Sequence, residues 1–504
     1  MEAIASYFKF DERRTSFGTE VRAGLTTFMV MAYIIFVNPS ILSSGPLEGL
    51  GPPFLQVVVA TALAAGILTI AMGLVTNYPF ALAAGLGLNA VVAFDLILNR
   101  GFLWQEAMAI IVWEGIVITL LVLTGLREAV MAAIPINLKR AIAVGIGLFI
   151  LFIGLFNGGL VARGNPGGPP VAVGNITSVA TLTFVIGLAI AIALMARRVR
   201  GALLISILAT TVVAIVLNGL VPAGTSGFFP GTAQLPTSYL FDFNLENFGI
   251  IFQPLGHMVS VFTEQPGIAA IVTVVLVIFT LMLADFFDTM GTVVGVGEQA
   301  GFVDEQGRLP GIRRVLLVDS LGAVTGGAFG VSSNTTYIES AAGVGEGGRT
   351  GLTAVIVGLL FIVSILFAPI AGIVPAQATA PALVVVGFLM FTIARDFDWS
   401  GIDPRSAGPS DAEQHDLRAP GTALRPEIPI DELFPVLVTL IVMPLTFSIT
   451  EGIAWGFVAY GFLKLVTGRA REVRPLMWLV VIAFVVFLAI PWVQTLLTSP
   501  PPAG

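Results

Sequence analysis

ADFFDTMGTVVGVG, residues 284–297, sets two aspartates inside an apolar run that begins near Ile268. Asp285 and Asp288 stand at i and i+3, so a helix carries both on one face, and Thr289 and Thr292 continue that polar stripe. A carboxylate in the middle of a membrane helix costs about 2.5–3.5 kcal/mol on insertion scales, so it usually faces a polar cavity and handles protons, ions or substrate. The plainer alternative is a helix-packing hydrogen bond, which seldom needs two acids on one stripe.

The surrounding chain makes a membrane setting the natural one. Its 504 residues are 56% hydrophobic and only 11% charged, with a mean hydropathy of +0.96. A soluble protein of this length would carry about a quarter charged residues, so the composition reads as a polytopic membrane protein. Cysteine is absent, which excludes disulfides, thiolate nucleophiles and cysteine-ligated metal. The two histidines, His257 and His415, fall in connecting segments, so neither a histidine metal site nor a catalytic triad has material to work with. No metal, cofactor or catalytic residue is expected. The opening MEAIASYFKFDERRTSFGTEVR is polar and charged, so no cleavable signal peptide is expected and the first apolar segment should act as an internal anchor. The acidic isoelectric point near 5 says little about partners, because the acids are scattered.

Apolar stretches of about 20 residues, read against Pro, Gly and charge, give the candidate spans. They are 22–42, 55–76, 80–98, 104–125, 135–156, 176–196, 200–220, 268–296, 313–329, 332–345, 350–370, 374–394, 433–449 and 451–466, with a further apolar run at 476–496. With the N-terminus inside, this assignment leaves only Arg100 and Arg163 of the 24 Lys and Arg residues outside, as the positive-inside rule requires. The expected loop 221–267, outside, contains no Lys or Arg at all, whereas 396–432 mixes Asp, Pro, Gly and Arg and reads as a cytoplasmic loop.

The chain also resembles itself at a separation near 250 residues. IPINLKRAIAVGIGLF (134–149) parallels VPAQATAPALVVVGFL (374–389), PFALAAGLGLNA (79–90) parallels GAFGVSSNTTYIE (327–339), and TFMVMAY (27–33) parallels TLMLADF (280–286). Seven spans per half is an odd number, so the second half must be inverted relative to the first, and short interrupted segments at matching places point to a transporter's binding site. Those segments are 80–98 and 332–345. In the first, FALAA is expected to be extended, Gly85 and Gly87 to turn the backbone, and a helix to resume near Leu88. In the second, GGAFGV is expected to be extended, with Ser332, Ser333 and Asn334 as N-caps of a half-helix holding Glu339. Half-helix N-termini at mid-membrane would offer N–H donors and positive dipole ends, tolerated only where protein or a wet cavity covers them. Tight helix packing is the alternative use of such glycines.

With GLGLNAVVAF, ADFFDTMGTVVGVGEQAG and SSNTTYIESAAGVGEGGRTGLTA on the page, the chain resembles the AzgA-like hypoxanthine/adenine/guanine branch of the nucleobase–cation symporter-2 (nucleobase–ascorbate) family. The resemblance runs from AGLTTFMVMAYIIFVNP (23–39) to MPLTFSITEGIAWGF (443–457). It implies an all-α fold of fourteen transmembrane segments in two inverted seven-helix repeats, with a short strand and half-helix at each central break. It further implies a core of 1–126 and 268–372 and a gate of 127–220 and 373–466, leaving 467–504 as a C-terminal extension. By the same resemblance Asp285 and Glu339 bind a purine, and Asp288 and Asn89 also matter for function. The departure is the extra apolar segment 476–496, beyond a fourteenth span that ends near Lys464.

The chemistry agrees. A purine offers N–H groups to carboxylates and ring nitrogens to backbone N–H donors, and Tyr337 or Phe329 could cover its face. Crowded buried carboxylates also favour proton binding, so Asp288, Asp285 and Glu339 are the candidates for proton coupling. Glu114, Asp95 and Asp319 are further intramembrane acids that serve protons, gating or structure. The expected partners are a purine base, protons and the lipid bilayer of a bacterial-type cytoplasmic membrane, with no nucleic acid, and a homodimer is left open. Rival readings are an inorganic-anion transporter of the same architecture, a uracil or xanthine permease, a channel, and an intramembrane aspartyl enzyme. Acids in the site oppose an anion, and one helix turn holds Asp285 and Asp288 too close in sequence for a cleavage dyad.

Overall fold

The structure, a computed structural model, describes residues 2–498 except 126–132, 165–169, 222–226, 230, 236–237, 243, 264–267, 305–308 and 398–429. The histidine at 415, the arginines at 127, 308, 405, 418 and 425, most of the 396–432 loop and the final 499–504 lie outside the described residues.

The chain is mostly helical. In order, the principal elements are α1 (Phe17–Met31), α2 (Ile34–Ser43), α3 (Phe54–Thr76), β1 (Leu82–Ala84), α4 (Leu86–Ala90) running into a wider π-type coil (Val91–Asn99), and α5 (Trp104–Thr124). There follow α6 (Ile136–Asn157), a hairpin of β2 (Val161–Arg163) and β3 (Val171–Val173), α7 (Val179–Ala196) and α8 (Ala202–Gly219). After these come α9 (Ile268–Gln299), α10 (Ile312–Ala328), β4 (Asn334–Thr336), α11 (Ser340–Gly345), α12 (Gly351–Ser364) and α13 (Ala376–Phe391). The chain ends with α14 (Ile430–Thr446), α15 (Ile449–Val466) and α16 (Pro475–Thr498).

Among the described residues, ten helices are long and apolar enough to cross a membrane. Five expected spans read differently. The 80–98 span is β1, α4 and the π-type coil. The 22–42 span is a pair, α1 and α2, broken at Ala32–Tyr33 within the apolar stretch Phe17–Ser43. The 313–329 and 433–449 spans are α10 and α14, each 17 residues. The 332–345 span is a strand and a six-residue helix.

Contacts divide the chain into one compact unit of Met1–Arg127 with Phe149–Phe388 and another of Glu128–Leu148 with Leu389–Gly504. In the first, capping and small residues decide the packing. Ser16 accepts the Thr19 N–H at the start of α1, and Ser178 accepts the Thr181 N–H at the start of α7. The buried Glu20 carboxylate accepts the N–H groups of Arg349, Thr350 and Thr353 and so caps α12 from another helix. α12 lies against α3 where Gly66 and Gly358 meet: a Cβ at 358 would stand 2.5 Å from the Gly66 carbonyl oxygen. Small residues let membrane helices approach closely enough for dispersion to hold them. In the second unit, Lys464 is buried on α15 and pairs with Asp431 at 3.0 Å, Glu432 at 2.8 Å and Glu472 at 3.2 Å. Arg469 also reaches Asp431 at 3.1 Å, so two basic and three acidic groups pair at the end of α15.

Candidate functional site

The centre of the first unit is a two-stranded antiparallel ladder between β1 and β4, with Leu82 opposite Thr336, Ala83 opposite Thr335 and Ala84 opposite Asn334. The ladder continues at both ends: Gly85 N–H donates to the Ser333 carbonyl at 2.8 Å and Tyr337 N–H to the Ala81 carbonyl at 2.9 Å. Backbone without helical hydrogen bonds needs partners inside a membrane protein, and hydroxyls supply them along the outer edges. Thr69 both receives the Leu82 N–H at 2.9 Å and donates to the Leu82 carbonyl at 3.0 Å. Ser340 Oγ accepts the Ala81 N–H at 3.0 Å.

The extended FALAA segment contains β1, as expected from sequence. Its helix begins at Leu86 rather than near Leu88, with Gly85 as N-cap. The second break departs further. Gly326, Gly327 and Ala328 are not extended; they complete α10, where the missing side chains of Gly326 and Gly327 let that helix touch its neighbours. A Cβ at Gly322 would stand 2.6 Å from the Asn334 carbonyl oxygen, and one at Gly327 2.8 Å from Val112 N. Positive φ at Gly330 (75°) and Ser332 (69°) then swings the chain into the strand, where β-branched Thr335 and Thr336 favour extension. Ser332, Ser333 and Asn334 therefore lead into β4 and do not cap a helix. The short helix starts three residues after Tyr337, with Glu339 itself in the N-cap position. The N–H groups of Ser340, Ala341 and Ala342 are taken up by the carbonyls of Tyr337, Ile338 and Glu339. At α4 the Gly85 N–H is likewise used, while the first-turn N–H groups of Leu86, Gly87 and Leu88 are those that a helix leaves without internal partners.

Acids converge on this ladder. Asp288 on α9 is half-buried and receives the Thr335 hydroxyl at 3.4 Å. Glu339, also half-buried, receives the Tyr33 hydroxyl at 2.7 Å. The Asp288 carboxylate is near enough to those of Asp319 and Glu339 for their charges to interact, and Tyr33 and Tyr337 lie within the same reach of Asp288 and Glu339. Asp319 on α10 is buried and accepts the Thr336 N–H at 2.9 Å, the Thr336 hydroxyl at 2.7 Å and the Thr289 hydroxyl at 2.6 Å. Asp285, one helical turn before Asp288, is only 1% exposed.

Of the other expected site residues, Asn89 is buried just beyond β1, and its amide oxygen and nitrogen have no hydrogen-bond partner among the described residues. The same holds for the side chains of Ser333 and Asn334. Tyr337 is held by its hydroxyl on the Ala84 carbonyl. Phe329 is not brought to the carboxylates by any described contact; its ring meets Phe252 edge-on at 5.6 Å. Asp95 is tied to Arg100 at 2.9 Å. Tyr33 is a residue that the sequence reading missed. A tyrosine in the apolar run TFMVMAYIIF needs a buried partner for its hydroxyl, and that was the available signal. Among the described residues no group of three or more acids, histidines or cysteines could hold a metal ion.

Polar atoms that are buried without partners, beside half-buried carboxylates, suit a small ligand that brings its own donors and acceptors. Comparison with known proteins gives this arrangement a family. The chain matches the Permease family (Xan_ur_permease) over residues 18–408. It is 38% identical to the adenine permease AdeP of Escherichia coli over 95% of this chain and 94% of that one. It is 37% identical to the guanine/hypoxanthine permease PbuO of Bacillus subtilis, over 96% and 100% respectively. The transmembrane domain of a cyanobacterium bicarbonate transporter, BicA, shares the fold with a TM-score of 0.56 and 15% identity, covering 86% of this chain and 96% of that domain. From 18–408, through the paired strands and the acids around them, the chain belongs to the Permease family, with adenine and guanine/hypoxanthine permeases among its relatives.

Proposed function

We propose that the protein is a secondary active transporter, not an enzyme, that imports purine nucleobases (hypoxanthine, adenine or guanine) by proton symport. The observation that carries this reading is the pair of half-buried carboxylates, Asp288 and Glu339, flanking one strand ladder in a relative of purine permeases. Carboxylates accept the N–H groups of a purine, the Asn89 amide can both donate and accept, and the first-turn N–H groups of α4 can donate to ring nitrogens. Tyr337 supplies an aromatic face fixed by its hydroxyl. In this reading Asp285, Glu339 and Asn89 hold the base, and Asp288 works with them in proton binding.

The membrane arrangement that goes with this function has fourteen spans in two inverted repeats. A core of 1–126 and 268–372 and a gate of 127–220 and 373–466 would work by elevator-like alternating access. The N-terminus would be cytoplasmic in a bacterial-type cytoplasmic membrane, with a homodimer as the assembly to test. The fold shared with a bicarbonate transporter keeps an inorganic anion as the alternative cargo, but acids around the site repel anions. In proteoliposomes, an inward proton gradient should drive accumulation of labelled hypoxanthine, and a protonophore should abolish it. Accumulation that follows sodium and ignores pH would refute the coupling.

A further inference from the structure

Glu114 sits midway along α5 at 0% exposure, and neither of its carboxylate oxygens has a hydrogen-bond donor among the described residues. Around it α5 packs closely on α10: a Cβ at Gly115 would stand 2.5 Å from Val324 N, and one at Gly327 2.8 Å from Val112 N. An ionised carboxylate buried without a donor is among the most costly groups a protein can hold. A proton on it removes that cost.

The acid within electrostatic reach on the facing helix is Asp319, and it is furnished in the opposite way, with three donated hydrogens from Thr289 and Thr336. Thr336 belongs to β4, three residues before Glu339, and Asp319 also lies within electrostatic reach of Asp288. A change of charge at Glu114 is therefore felt by the carboxylate that anchors the site's strand. The other elements packed on α5 bring Asp285 and Asp288 from α9, Asp95 with its partner Arg100 from the π-type coil, and His257 from the Gln253–His257 turn. Arg313 and Arg314 lie in the exposed first turn of α10. None of these basic groups has a described contact with Glu114.

We propose that Glu114 is a proton-carrying residue of the transport cycle, separate from the purine site and linked to it through Asp319 and β4. The proton is taken from the outer solution with the base and released to the cytoplasm, and no other bond changes. This inference rests on the proton-symport reading above. Its test compares wild type, Glu114→Gln and Glu114→Asp in proteoliposomes by three readouts: purine binding, exchange of labelled for unlabelled hypoxanthine at equal pH, and accumulation under an inward proton gradient. Glu114→Gln mimics the protonated acid, so it should bind and exchange like wild type while losing proton-driven accumulation. Glu114→Asp should restore accumulation with a displaced pH profile. Wild-type accumulation by Glu114→Gln overturns the proposal, and so does loss of binding and exchange together with accumulation. If Glu114→Gln does not fold, Glu114→Asp decides, because an unchanged pH profile overturns the proposal as well. Wild type that ignores a proton gradient refutes the symport reading itself, a result visible before any variant is compared.

Discussion

Replacing Tyr33 by phenylalanine removes one oxygen and leaves the ring. In the structure that oxygen donates to Glu339 at 2.7 Å from the break between α1 and α2, across 306 positions of chain. A hydrogen bond to a charged group is worth about 1.5–3 kcal/mol, so if Glu339 orients a purine, Tyr33→Phe should weaken binding by about one to two orders of magnitude. Glu339→Gln removes the charge and turns an amide donor toward groups that met an acceptor, with a loss of the same order. Because both changes break one contact, their effects should not add, with a coupling of about 0.5–3 kcal/mol in a double-mutant cycle. Equilibrium binding of labelled hypoxanthine to detergent-purified protein measures all four corners, with melting temperature as the folding control. Wild-type affinity in Tyr33→Phe, or full additivity of the two losses in folded protein, would refute the coupling of Tyr33 to the site through Glu339.

Asp285→Asn should abolish transport and binding in protein that still inserts, since neutralising a membrane acid lowers its insertion cost; unchanged hypoxanthine affinity would remove Asp285 from the site. Asp288→Asn should damage proton-driven uptake more than equilibrium binding, and the reverse order would exchange the roles of the two aspartates. Gly322→Ala should lower the melting temperature and the folded yield, because its Cβ would stand 2.6 Å from the Asn334 carbonyl oxygen and overpacking of this kind costs about 1–3 kcal/mol. The chain has no cysteine, so single cysteines report topology cleanly: one at Ser6 should react with an impermeant maleimide only from the cytoplasmic side and one at Ser238 only from outside. Labelling of both from one side would break the assigned orientation.

Much of the fold was legible because membrane helices announce themselves by length and apolarity. The expected 55–76, 104–125, 176–196 and 451–466 stretches match α3, α5, α7 and α15 to within a few residues. The breaks at Gly85 and near Ser332 were visible as well, because glycine and hydroxyl residues interrupt an apolar run. What local pattern could not supply was where the second strand begins. Gly326 and Gly327 look like turn residues in sequence, yet they serve helix contact, and only the positive φ at Gly330 and Ser332 sends the chain into β4. Tyr33 and Thr69, and the role of Asp319, were hidden for a related reason. Their partners Glu339, Leu82 and Thr336 lie 306, 13 and 17 residues away, and none of those distances corresponds to a helical or strand period. Phe329 shows the converse: an aromatic next to the break in sequence that packs on Phe252 instead.

The most direct test of purine transport is a competition experiment on the purified, reconstituted protein. Uptake of labelled hypoxanthine into proteoliposomes should be saturable and should be suppressed by unlabelled adenine, guanine or hypoxanthine. Uracil and sulfate should compete poorly. Sulfate or bicarbonate uptake in the absence of any purine uptake would contradict the account.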